Sequence, residues 1–227
     1  MNYYRGAAVV AAAIALATFN ACERLPGQPT PSARPQSPSR VTNFGQLYSE
    51  NCAGCHGEDG HFGGALPINN PAYLALVDDA SMRNAIANGI SGTSMPAFAV
   101  SSGGMLTDEQ IIAIVKGIRS KWGAEARPVE GTPTRLPSKV GDPAQGAKLF
   151  IDYCASCHGG NGTGGTAGAI TDPSFLALYN DQTLRILIIA GRPDLGHPGW
   201  NAYSNKAGLD SAQISDIVAW LAVKRGA

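Results

Sequence analysis

The sequence predicts an all-α protein made of two copies of one small helical module, and three observations carry that prediction. Cys52 and Cys154 lie 102 positions apart (154 − 52), and the same offset links Cys55 to Cys157, His56 to His158 and Met95 to His197. A fixed period of this kind marks tandem units. Apolar residues recur at helical spacing between capping signals, while the alternating runs that would mark strands are few. Finally, 28 glycines and an aromatic content of 7% in 227 residues leave only a thin protein core for two modules of this size. A large bound group in each module, wrapped by glycine-rich loops, would complete that core.

In chain order, residues 1–21 read as an export leader, with a basic start at Arg5 and an apolar run from Gly6 to Phe19. That run is shorter than the roughly 20 residues a bilayer-spanning helix needs, and it matches the core of a signal peptide. An uncleaved N-terminal anchor helix is the alternative. Cys22 follows Ala21, an arrangement that resembles a bacterial lipoprotein signal and implies lipidation of Cys22, although Phe19 and Asn20 depart from the usual pattern. Residues 22–40 carry prolines at 26, 29, 31, 35 and 38 and almost nothing apolar, so they form a solvated tether. A second break at 123–141, with Pro128, Pro133 and Pro137, separates a first domain at 41–122 from a second at 142–227.

Each domain opens with an amphipathic helix. The first begins near Thr42 or Asn43 and runs through Phe44, Leu47 and Tyr48 to Cys52; the second has Asp142 as N-cap and Pro143 at its first position, with Leu149, Phe150 and Tyr153 leading to Cys154. Middle helices follow at Ser81–Asn88 and Asp181–Ala190, each stopped by a glycine, Gly89 or Gly191. The closing helices start from capping boxes, Thr107 with Gln110 and Asp210 with Gln213. Ile111, Val115 and Ile118 match Ile214, Val218 and Leu221 at an offset of 103 (214 − 111), so one residue is inserted between about 198 and 209.

The units CAGCH (52–56) and CASCH (154–158) are c-type haem attachment signals. Two thiols three positions apart can form thioethers to the two vinyl groups of one porphyrin, and the adjacent histidine can ligate the iron. A zinc site fits poorly, because a tetrahedron needs four ligands and each histidine abuts its own cysteine pair. A thioredoxin-type redox pair would need a βαβ pattern nearby. From about residue 41 onward the chain resembles tandem class I cytochrome c modules, as in dihaem cytochromes of the c4 type. The resemblance rests on both C-x-x-C-H units, the helix before each, the Met95–Pro96 pair and the closing helices. It implies the all-α cytochrome c fold, two covalently bound haem c groups, attachment at Cys52, Cys55, Cys154 and Cys157, and His56 and His158 as proximal iron ligands. It also implies a methionine as second axial ligand, a role suited to Met95; Met82 and Met105 are the rivals.

The second copy departs from that pattern. No methionine follows Met105, and His197 stands where Met95 stands in the first copy, keeping the following proline, Pro198 beside Pro96. The reading is that haem 1 is His56/Met95 and haem 2 is His158/His197. The alternatives at haem 2 are a solvated loop histidine beside a five-coordinate iron, or Lys206 or Tyr203 as ligand. Methionine raises a haem potential relative to a second histidine. A gap of about 120 mV would favour transfer from haem 2 to haem 1 roughly a hundredfold.

The remaining motifs are weaker. GGNGTGG (159–165) lacks the lysine of a P-loop, and its glycines at 159, 162 and 165 repeat those at 57, 60 and 63. His61 reads as a loop residue too close to His56 to reach the opposite face of the same ring. Trp200 and Tyr203 read as shields for haem 2 or as ordinary packing. A formal charge of zero without like-charge blocks excludes a nucleic-acid partner. The resulting expectation is a non-enzymatic, membrane-tethered electron carrier on the extracytoplasmic side, exchanging single electrons with a redox donor and acceptor. The alternatives are a peroxidase-like haem enzyme or a dedicated cytochrome subunit of a larger respiratory complex.

Overall fold

A computed structural model describes residues 36–202 and 207–225. The expected leader, Cys22 and the tether as far as residue 35 lie outside the described residues, as do Tyr203 and Lys206. Residues 39–227 make up one compact unit that holds both copies of the repeat. Its α-helices are α1 (Phe44–Asn51), α2 (Ala53–His56), α3 (Pro71–Leu76), α4 (Asp79–Asn88) and α5 (Asp108–Trp122), followed by α6 (Pro143–Tyr153), α7 (Ala155–His158), α8 (Pro173–Leu176), α9 (Asp181–Ala190) and α10 (Ser211–Arg225). No strand occurs among the described residues, only isolated bridges pairing Ala99 with Leu106 and Arg192 with His197. The all-α expectation holds.

Most helix starts are written locally. The Asp142 carboxylate accepts from the Ala144 N–H at 2.8 Å, with Pro143 at the first helical position. Both capping boxes close: Gln110 and Thr107 exchange side-chain-to-backbone bonds, and Asp210 and Gln213 do the same. The first middle helix begins at Asp79, two residues before the expected Ser81, because Asp78 Oδ1 caps it by accepting from the Ser81 N–H at 2.6 Å. The short helices α3 and α8 have no apolar period to mark them in the sequence, although Asn70–Pro71 and Asp172–Pro173 carry the same signal as Asp142–Pro143.

In each copy the opening helix packs against the closing one. Gly117 in α5 is needed for this, since a Cβ there would fall 2.1 Å from the Phe44 ring. Gly146 in α6 is needed likewise, its Cβ falling 1.9 Å from the Asp216 carbonyl oxygen. The first core gathers Leu47, Leu74, Ile86, Ile111, Ile114 and Ile118; the second gathers Leu176, Leu184, Ile189, Leu209, Ile214 and Leu221. Each such side chain contributes about 1.5–3 kcal/mol by leaving water.

One arginine per copy ties the closing helix to the middle of its module. Arg119 bonds the Asp79 carboxylate and the carbonyls of Leu74 and Val77; Arg225 bonds Asp181 and the carbonyls of Leu176 and Tyr179. The acceptors obey the 102 offset, yet the arginines are 106 apart (225 − 119), so the second reaches the same cradle from a different point along its helix. The segment between the copies is fastened by Arg185, only 2% exposed, which donates to the Thr134 carbonyl at 2.9 Å, Ser215 Oγ at 3.1 Å and Ser211 Oγ at 2.6 Å. Burial pulls its pKa below the usual arginine range.

The copies meet along a polar seam. Asn70 caps α3 through its oxygen, accepting from the Ala72 N–H at 2.8 Å, and with its nitrogen donates to the Ala190 carbonyl at 3.0 Å, the last residue of α9. Asn180 caps α9 and donates to the Ser91 carbonyl at 2.8 Å. Arg192 donates to the carbonyls of Gly63 at 3.0 Å and Ala65 at 3.1 Å. Asp194 accepts from the Phe62 N–H at 3.0 Å.

Candidate haem-binding sites

Each site begins where the opening helix ends. Cys52 and Cys154 terminate α1 and α6, and a single further turn, α2 or α7, carries the second cysteine and the histidine. None of these four cysteines is in a disulfide; Cys55 and Cys157 are exposed, Cys52 and Cys154 half-buried. Before attachment to a haem, burial pushes the Cys52 thiol up to about 11, so it is protonated at neutral pH.

A backbone carbonyl ten residues downstream orients each proximal ring. His56 Nδ1 lies 2.7 Å from the Leu66 carbonyl oxygen and His158 Nδ1 lies 3.0 Å from that of Gly168, again 102 positions on. A carbonyl only accepts, so Nδ1 carries the proton and Nε2 keeps its lone pair for a metal. The loop is pinned in both copies by the N–H of the residue just before that carbonyl: Ala65 donates to the Cys55 carbonyl and Ala167 to the Cys157 carbonyl, each at 2.9 Å. Leu66 and Gly168 were not singled out from the sequence, since a main-chain acceptor leaves no side-chain signature.

The loops bearing Met95 and His197 adopt one conformation. Gly89 and Gly191 close their helices at φ of 70° and 69°. A Cβ on Gly89 would meet Ala97 N, Met95 O and Pro96 C, all at 2.8 Å; on Gly191 it would meet Gly199 N, Pro198 C and His197 O at 2.7, 2.7 and 2.8 Å. Only glycine accepts both the left-handed φ and the close backbone. The turn is closed in the same way in each copy, by Ile90 N–H to the Met95 carbonyl at 3.1 Å and by Arg192 N–H to the His197 carbonyl at 3.0 Å. His197 therefore occupies the structural place of Met95. Met95 is half-buried against the first core, whereas Met82 is 3% exposed within that core and Met105 is 81% exposed.

His158 and His197 face one another with ring centres 6.0 Å apart and planes at 52°. A metal held between two imidazoles by bonds of about 2 Å puts the ring centres about 6 Å apart. His197 Nδ1 is buried without a hydrogen-bond partner, the single such side-chain atom among the described residues. Burial lowers the His197 pKa, with the neighbouring His158 and Arg192 charges adding to it; burial also lowers that of His56, Arg192 contributing, while the Leu66 carbonyl opposes the fall. Neutral imidazoles are the ligating form. The residues present fit an iron porphyrin, fixed through the cysteine pairs and held at the second site between two rings.

The other candidates resolve differently. His61 is half-buried, with Nδ1 2.8 Å from Asn69 Nδ2 and its ring 4.3 Å from that of Phe62, so it serves the loop. Trp200 packs against the second core, and its backbone N–H donates to the Ile189 carbonyl at 3.1 Å.

Residues 39–116 match the family described as cytochrome c oxidase, cbb3-type, subunit III, and residues 143–223 match the family described as cytochrome c. The chain carries two cytochrome c-type domains in tandem. These domains bind haem c covalently, at Cys52 with Cys55 and at Cys154 with Cys157. Among curated relatives, the tandem cytochrome is 28% identical over 163 residues to the cbb3-type cytochrome c oxidase subunit FixP of Bradyrhizobium diazoefficiens, covering 68% of this chain and 52% of the relative. It is 27% identical over 203 residues to the subunit CcoP of Cereibacter sphaeroides, covering 81% and 62%. A cytochrome bc1 complex cytochrome c subunit of Mycobacterium bovis is 24% identical over 200 residues, covering 86% and 68%. The matches thus span little more than half the length of the first two relatives.

Proposed function

We propose that the tandem cytochrome is an electron-transfer protein of a respiratory membrane, with haem 1 held by His56 and Met95 and haem 2 by His158 and His197. The observation that carries this reading is the facing pair His158 and His197, 6.0 Å apart, with a buried ring nitrogen otherwise unpartnered. Each haem, when bound, supplies one-electron iron chemistry. The chain's own part is to keep four ligands neutral and oriented, to exclude water with its two cores, and to hold the copies in a fixed relation through the seam. Occupied axial positions leave no open iron site for a substrate, which favours a carrier over a peroxidase-like enzyme. The ligand difference favours passage of electrons from haem 2 to haem 1. A leader at 1–21 and lipidation at Cys22 would hold the protein at the extracytoplasmic face, with the proline-rich tether setting its reach.

Low-temperature EPR with near-infrared MCD on the oxidised holoprotein tests the ligation. The expected spectra show two low-spin haems, one with methionine-to-iron charge transfer and one bis-imidazole, and His197→Ala removes the second signature alone. A high-spin haem in the wild type, or cyanide binding by the reduced protein, would sink the carrier reading. The names of the FixP, CcoP and bc1 relatives favour a place as a cytochrome subunit of a larger oxidoreductase over a free shuttle. Mild detergent purification from the native membrane separates these, by the presence or absence of stoichiometric membrane subunits.

A further inference from the structure

Resting on that axial-ligand reading, we propose that Arg192 and Asp194 form a positioning and redox-tuning pair shared by both haem sites. The pair fixes the distal loop of the second site against the proximal loop of the first, and its charges bias both irons together.

Arg192 opens the turn that ends at His197. Its N–H donates to the His197 carbonyl at 3.0 Å and its carbonyl accepts from the His197 N–H at 2.9 Å. The guanidinium of the same residue then leaves its own module and grips the carbonyls of Gly63 and Ala65. The next carbonyl along, that of Leu66, orients the His56 ring. One side chain thus stands between the distal ligand of haem 2 and the proximal ligand of haem 1. Asp194 holds it in place by accepting from Nε at 3.1 Å and from Nη2 at 2.8 Å, and it ties in the Phe62 N–H as well.

The repeat shows that this pair is not required to build the turn. Ile90 and Gly92 stand at the equivalent positions of the first copy, and the Ile90 N–H still closes onto Met95. The charged pair is an addition confined to the copy whose distal ligand is a histidine. Its side chains are 12% and 6% exposed, so water screens them little and their fields reach further than those of a surface pair. Together the two charges nearly cancel; removing one uncovers the other. A positive charge near an iron favours the reduced state and raises its potential, and a negative charge lowers it.

Arg192→Gln leaves the Asp194 carboxylate and should lower both haem potentials. Asp194→Asn leaves the guanidinium with both of its grips on Gly63 and Ala65 and should raise both. The experiment is spectroelectrochemical titration of the full-length holoprotein, resolving the two haems in wild type and each variant, with haem content checked by alkaline-pyridine haemochrome. Arg225→Gln, which breaks a pair 31% and 57% exposed, should move neither haem. Opposite-sign shifts at both haems establish the pair's role. Shifts at haem 2 alone, shifts of one sign in both variants, or no shift overturn it. If Arg192→Gln fails to load haem, Asp194→Asn decides by itself: a rise at both haems supports the proposal and anything else defeats it. Wild-type EPR keeps the two readings apart, because a missing bis-imidazole signal removes the ligand assignment, whereas unmoved potentials beside that signal remove only this proposal.

Discussion

Asn70 and Ala190 join the two copies through one amide that caps two helices at once. Its oxygen opens α3 and its nitrogen, 3.0 Å from the Ala190 carbonyl, closes α9. The repeat-equivalent residue, Asp172, opens α8 but is exposed and has no donor to offer. Asn70→Asp keeps the cap and turns the crossing bond into a carboxylate facing a helix C-terminus. The expected cost is about 1–3 kcal/mol, because the carbonyl of Ala190, a residue only 6% exposed, loses its partner and gains a like-signed neighbour. Asp172→Asn should stay within about 0.5 kcal/mol of wild type. Denaturant midpoints of the two variants check this.

Gly191→Ala addresses the distal loop without touching a ligand. The added methyl would stand 2.7 Å from the backbone of Pro198 and Gly199 at a φ of 69°, so the loop must move. The conformation at Gly191, positive φ with ψ of −176°, is essentially reserved for glycine and alone costs another residue about 1–3 kcal/mol. The expected outcome is loss or broadening of the bis-imidazole EPR signal with both haems still attached. Gly89→Ala should perturb the methionine charge-transfer band instead. If both variants kept wild-type spectra, the loops would not be the ligand holders.

Much of this was legible because it is local or repeated. The caps at Asp142, Thr107 and Asp210 are side chains bonding backbone two or three residues away, and such signals are written in a short window. His197 was found through the offset to Met95, and the structure bears out the equivalence of the two loops atom by atom at Gly89 and Gly191. The helix starts at Pro71 and Pro173 carried a readable signal, but helices of six and four residues show no apolar period. Arg192 could not be read at all, since its acceptors are main-chain oxygens 127 and 129 positions away. Arg119 and Arg225 escaped for another reason. They do one job from unequal positions, so an offset search passes between them.

The seam should have an acid limit set by Asp194. The Arg192 guanidinium bonded to it holds its carboxyl below the ordinary value, with burial opposing. A carboxyl whose folded pKa is depressed contributes in full above its unfolded pKa, about 3.9, and that contribution fades as pH falls through the lower folded value. The difference in thermal midpoint between wild type and Asp194→Asn should therefore be constant above about pH 5 and shrink below about pH 4. A difference that instead grew on acidification would mean that the carboxylate is not what Arg192 stabilises.

Replacing His197 by methionine converts the second distal loop to the residue its twin carries. The cradle at Gly191 matches that at Gly89 to within 0.1 Å at each of three backbone atoms, so the loop needs no rebuilding. The incoming side chain is unbranched and adaptable, and the nitrogen it removes had no protein partner to strand. A thioether favours ferrous iron more than an imidazole does, so the haem 2 potential should rise toward that of haem 1. A rise of about 120 mV would cut the equilibrium preference for transfer from haem 2 to haem 1 roughly a hundredfold. Redox titration of His197→Met, together with the reciprocal Met95→His, reads this directly: the first should narrow the gap from below and the second from above. A haem 2 potential unmoved by His197→Met would place the distal ligand elsewhere in the second domain.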